Sequence, residues 1–102
     1  MRIEELLPVG SVVLLQKAQK KMVIMGIMPV KHSGEGNDIA YEYMGVPYPE
    51  GYMGGDTALL FNHEDIKDVY FTGYVNEERD SFIKIMQGIV DRTEEIVSES
   101  ED

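Results

Sequence analysis

With 102 residues, 43% of them apolar, the chain is long enough for one hydrophobic core and too apolar to be a disordered tail. A formal charge of −10 argues against nucleic acid as a partner, because phosphate binding needs clustered cations. The lack of cysteine removes disulfides, thiolate metal sites and cysteine nucleophiles together, and it fits a reducing compartment, so a cytoplasmic location is expected.

The charge is unevenly spread. Residues 1–31 hold five Lys or Arg against two Glu, whereas residues 32–102 hold four against 17 Asp or Glu. The opening MRIEELLPVG has no basic leader before an apolar run, so no secretory signal is expected. No apolar run approaches the ~20 residues of a membrane-spanning helix, so no membrane insertion is expected either.

Along the chain, Ile3, Leu6 and Leu7 have helical spacing over one turn that Pro8 ends. Ser11–Leu15 (SVVLL) is a short continuous apolar run, the pattern of a strand covered on both faces. Met22–Met28 (MVIMGIM) is the second strand, and the two read as a hairpin with a longer loop, since no Asn-Gly or Asp-Gly marks a tight turn. Gly26 inside the second run suggests a bulge or sharp bend. Lys17, Lys20 and Lys21 make a basic knuckle at the hairpin tip, read as a solvated turn.

Pro29 is expected to interrupt the second strand or confine it to an edge, and HSGEGND over 32–38 is a turn cluster. In Ile39–Met44, Ile39, Tyr41 and Tyr43 alternate with Ala40, Glu42 and Met44, which predicts a third strand. The stretch 41–56, YEYMGVPYPEGYMGGD, holds four of the six tyrosines, two of the four prolines and four of the ten glycines. Beyond Met44 it reads as neither strand nor helix, because proline removes donors and glycine permits φ > 0.

Thr57–Phe61 is a fourth strand. Asn62, Glu64 and Asp65 then give a capped helical turn, with Phe61 and Ile66 at staple spacing. Val69–Tyr74 is a fifth strand. Asn76 caps a final helix whose apolar stripe runs through Phe82, Ile85, Met86, Ile89, Ile96 and Val97, widened by Ile83 and Val90. Gly88 inside it costs about 1 kcal/mol relative to alanine unless close packing requires it. Residues left uncovered at Ile83, Val90 and Val97 would form a homodimer or partner seam. Ser98–Asp102 is an acidic tail expected to fray, leaving residues 1–97 as one domain.

Catalytic and metal patterns are sparse. His63-Glu64-Asp65 lacks the second histidine of H-E-x-x-H, and a metal site would need His32 and a carboxylate such as Asp56 to converge from distant segments. No nucleophile elbow, P-loop or dinucleotide glycine pattern is present. The expectation is no metal, no cofactor and no enzymatic activity. Tyrosine in a proline- and glycine-shaped loop supplies contact area at low entropic cost, so Tyr48 and Tyr52, with Met44, Val46 and Met53, form the candidate partner-binding surface.

The strings LLPVGSVVLL, KKMVIMG, YEYMGVPYPEGY and FNHEDI, followed by a strand ending in Gly-Tyr, resemble a Firmicutes family of unknown function, DUF4176. The resemblance covers roughly residues 6–75 and brings no catalytic residues with it. Genes of that family occur near type VII secretion and LXG-toxin loci. The resemblance therefore implies an accessory protein that binds a protein partner such as a secreted effector.

The expected architecture is α+β: about five short strands in a strongly bent antiparallel sheet, with an SH3-like barrel as its closed form, a short helical turn and a C-terminal helix. The expected function is a non-enzymatic adaptor or chaperone-like protein-binding module. An acidic immunity-type inhibitor of a toxin and an uncharacterised enzyme are the alternatives.

Overall fold

A computed structural model describes the backbone of residues 2–31 and 39–100 and the side-chain environments of 2–29 and 39–93. Contacts divide it into two compact units: residues 7–74 form one, and the segments up to Leu6 and from Val75 onward form the other.

The larger unit is built on strands β1 (Val12–Leu15), β2 (Lys21–Ile27), β5 (Tyr43–Pro47), β6 (Leu59–Phe61) and β7 (Ile66–Phe71). All are antiparallel, in the spatial order β6-β5-β2-β1-β7. The short strands β3 (Val30–Lys31) and β4 (Ile39–Ala40) pair separately as a two-stranded ribbon. The α+β class and the five strands agree with the sequence, but the sheet does not close into a barrel. Its ends, β6 and β7, do not pair with each other.

The hairpin forms as expected, with Val13 opposite Met22. Alternation sends Val13, Leu15, Met22 and Ile24 to a buried face, and Tyr43 and Phe61 join them. Each such side chain contributes about 1.5–3 kcal/mol on leaving water. Tyr43 is fully buried and stacks on Phe61 with ring centroids 5.5 Å apart. The expected irregularity at Gly26 is present: Ile24 pairs with Gly45 and Gly26 with Met44, leaving Met25 as the extra residue.

The third strand differs from the sequence reading in its course. The third strand is interrupted at Tyr41-Glu42, where Met28 (φ +57) donates to Glu42 O and Tyr41 N–H donates to Pro29 O, both at 2.9 Å. A strand then runs on through Gly45, Val46 and Pro47, so the Pro/Gly stretch contains one of the three inner strands of the sheet. Gly45 serves packing here. A Cβ on it would lie 2.9 Å from the Phe61 ring and 3.1 Å from Val23 O. The turn cluster at 32–38 lies outside the described residues.

The helical turn is a 3-10 turn at His63–Asp65. Asn62 N–H donates to Asp65 Oδ2 (2.8 Å), the return half of a capping box. β7 starts immediately after it, three residues earlier than the expected Val69. Past the end of β7, Gly73 N–H donates to Ser11 Oγ (3.0 Å), and that hydroxyl donates to Pro8 O (2.7 Å). A Cβ at Gly73 would stand 2.2 Å from Val9 O, so only glycine fits.

The smaller unit pairs a 3-10 turn at Ile3–Glu5 with α1, Glu77–Ser100. Asn76 Oδ1 accepts from Arg79 N–H at 3.0 Å, the expected cap. Gln87 Oε1 accepts from Ile3 N–H at 2.6 Å, and Arg79 Nη2 donates to Leu6 O at 3.2 Å. α1 continues through Ser100, into the stretch read as an acidic tail.

Ile83, Val90 and Val97 are the residues that would form a partner seam if left uncovered, and Ile83 is covered. It is buried (4% exposed) on the helix face it shares with buried Gln87. Val90 is half-buried, and the Val97 side chain lies outside the described environments. Among the described residues, α1 exposes the apolar side chains of Phe82, Ile85 and Ile89.

Candidate binding groove

Residues paired across a ladder point to the same face, so register alone assembles the second face of the sheet. Val23 stands opposite both Val12 and Val46, and Val12 also stands opposite Phe71. Tyr48 N–H donates to Lys21 O (2.9 Å), which extends the β5–β2 ladder and sets Tyr48 beside Lys21. On β7 the register shifts: Val13 pairs with Val69 and Val12 with Phe71, leaving Tyr70 as the extra residue of a bulge. Bulges re-aim side chains. This one brings the adjacent Tyr70 and Phe71 to a single depression.

That depression is a groove of about 410 Å³ lined by Val12, Lys21, Tyr48, Tyr70 and Phe71. The Lys21 ammonium lies 4.8 Å above the centre of the Tyr70 ring, having crossed over β1 to reach it. Such a contact is worth about 0.5–1 kcal/mol at an exposed site. Lys21 makes no ion pair among the described residues. Tyr48, Tyr70 and Phe71 are each about half exposed or more, so the lining is largely open to solvent.

The Pro/Gly loop rises from one side of this groove. A cis Tyr48-Pro49 bond and a Gly51 N–H to Pro47 O hydrogen bond (2.7 Å) turn the chain directly after β5. Lys20 pairs with Glu50, and its hydrogen bond holds the Glu50 carboxyl below the usual carboxylate range. Further on, Thr57 Oγ1 accepts from Met53 N–H (3.1 Å) and donates to Gly54 O (2.9 Å). Both ends of the loop are thus tied down, while Tyr52 and Met53 remain 62% and 70% exposed.

The five residues singled out from the sequence therefore divide. Tyr48 lines the groove, and Tyr52 and Met53 stand exposed on the loop beyond it. Met44 is half-buried in β5, and Val46 is 7% exposed, so these two build the sheet and have little surface to offer. Sequence reasoning missed Val12, Tyr70, Phe71 and the separate role of Lys21. The available signal was Val69-Tyr70-Phe71, three large residues in a row that strict alternation cannot place on one face.

A second cluster joins β5 to the 3-10 turn. The Tyr43 hydroxyl accepts from Leu7 N–H (2.9 Å) and lies 2.7 Å from His63 Nδ1. Burial pushes the Tyr43 phenol above its ordinary value. The Leu7 hydrogen bond opposes this, and the nearby Glu42 carboxylate adds to it. His63 N–H donates to Glu42 Oε1 (3.0 Å), and Glu42 N–H donates to Asn62 Oδ1 (3.1 Å). These bonds tie the strand to the turn, and His63 Nδ1 is occupied by the phenol.

No helix among the described residues is long and apolar enough to cross a membrane. The groove and loop lie within residues 12–71, inside the stretch that a protein-family model matches. No curated protein and no solved structure matches the chain. With its model matching residues 6–82, the chain belongs to the family described as Domain of unknown function (DUF4176).

Proposed function

We propose that this protein is a non-enzymatic protein-binding module, an adaptor or chaperone-like accessory protein of a type VII secretion or toxin locus. The observation that carries the reading is the groove of Val12, Lys21, Tyr48, Tyr70 and Phe71, with Tyr52 and Met53 exposed on the tethered loop beside it. Aromatic side chains on a fixed backbone deliver contact area without a large ordering cost. The secretion context comes from the family resemblance and supplies the class of partner, an effector awaiting export. Co-expression with a tagged toxin encoded at the same locus tests it. The native protein should co-purify with the toxin, and the Tyr48→Ala/Tyr52→Ala variant should not, while keeping its thermal transition. Equal capture of both removes the loop from the proposal.

A second reading is an immunity-type inhibitor whose acidic surface covers a basic toxin face. It is favoured by the 17 Asp and Glu between residues 32 and 102 against four Lys and Arg. The two readings differ in salt dependence. An acidic interface weakens steeply between low and physiological ionic strength, whereas an aromatic groove barely changes.

A further inference from the structure

Resting on the reading of this face as a binding surface, we infer that the groove recognises an extended peptide segment carrying one Asp or Glu carboxylate flanked by apolar side chains. The carboxylate meets the Lys21 ammonium, and the flanking side chains pack against Tyr48, Tyr70 and Phe71. Three observations define that occupant. At about 410 Å³ the groove sits at the small end of the ~300–1,000 Å³ range of ligand-holding clefts, the scale of a few side chains. Val12, Tyr48, Tyr70 and Phe71 present apolar or aromatic surface, which selects apolar neighbours. Among the described residues the one charged member of the lining is Lys21, whose ammonium rests over Tyr70 and makes no ion pair there.

The placement of Lys21 sharpens the charge argument. Leu14 of β1 pairs with Lys21 on one side and with Asp68 on the other, so an exposed carboxylate stands across the same strand. Lys21 lies over the aromatic ring and not on Asp68. The cation is thus held at the groove with its charge available to a ligand. The chain's net charge of −10 disfavours a run of acids. A single carboxylate in direct contact with Lys21 gains at short range, while the rest of the field is screened beyond roughly 8–10 Å. A chain terminus is disfavoured because terminal carboxylates are captured by backbone N–H nests. The backbone donor beside Lys21, Tyr48 N–H, is already given to Lys21 O.

The test uses the full chain and blocked nine-residue peptides, acetylated and amidated, with a central Glu flanked by Leu and Phe. A Gln counterpart and a charge-free peptide with a free C-terminus are the other two probes. Amide shifts of Val12, Lys21, Tyr48, Tyr70 and Phe71 are followed by NMR. The Glu peptide should move these resonances and bind about tenfold more tightly than the Gln peptide, the scale of a hydrogen bond to a charged group. Lys21→Met should erase that preference, and Lys21→Arg should retain it. Equal binding of Glu and Gln peptides at these resonances overturns the carboxylate inference but leaves the groove as a binding surface. Tighter binding of the free-terminus peptide overturns the side-chain assignment. No shift at the groove with any peptide overturns both the inference and the reading beneath it.

Discussion

Tyr43 shows how one residue ties sequence to fold. Alternation in Ile39–Met44 placed it on a strand face. Its hydroxyl then serves two partners, Leu7 N–H and His63 Nδ1, that no spacing rule connects to it. Tyr43→Phe keeps the ring against Phe61 but leaves both groups without their partner. A loss of about 1–2 kcal/mol in urea unfolding is expected. Because burial raises the folded-state value, the unfolded chain ionises this phenol first as pH rises past about 10. Its contribution to stability is therefore intact below that pH and is lost as pH climbs through the folded value. Native stability should fall above about pH 10 more steeply than that of Tyr43→Phe, as unfolding midpoints across that range would show. Gly73 makes a sharper case. Alanine there must displace Val9 O or Ser11 N, so Gly73→Ala should cost at least about 1–3 kcal/mol and lower the melting temperature.

The elements differ in how far their local sequence determines them. Caps were fully legible: Asn62 and Asn76 start their turn and helix because a short polar side chain followed by carboxylates has few other uses. The hairpin and the irregularity at Gly26 were legible from apolar runs and one misplaced glycine. The strand through Gly45-Val46-Pro47 was hidden, because glycine and proline argue locally against a strand. Tertiary contact reverses that argument, since Gly45 makes room for the Phe61 ring. The partition of the α1 stripe was also hidden. Periodicity lists apolar residues on a helix but cannot say which side is covered, and the structure buries Ile83 while exposing Phe82, Ile85 and Ile89. Gly88 has no packing duty among the described residues, where a Cβ there would meet nothing within 4 Å. Gly88→Ala should therefore stabilise α1 by about 1 kcal/mol and raise its thermal midpoint, read by circular dichroism at 222 nm. An unchanged or lower midpoint would mean that the glycine answers a contact outside this chain.

For the whole molecule, charge and shape give different kinds of information. The charge of −10 was read directly from composition and bears on which partners are repelled. Of the five residues that line the groove, the sequence singled out one. Tyr48 stood out because its loop is rich in proline and glycine, but Tyr70 and Phe71 lie 22 and 23 residues away and join it through sheet order and a bulge. Lys21 looked like one of three turn lysines until the ladder placed it beside Tyr48 and over Tyr70. Sequence neighbours suggested a loop; strand neighbours build a groove with a loop at its side. The most direct test of that claim is a calorimetric titration of the locus-encoded effector into the native protein and into Tyr48→Ala/Phe71→Ala. The groove predicts a loss of about 2 kcal/mol or more in binding free energy, little salt dependence and unchanged folding. Equal affinities for the two proteins would contradict it.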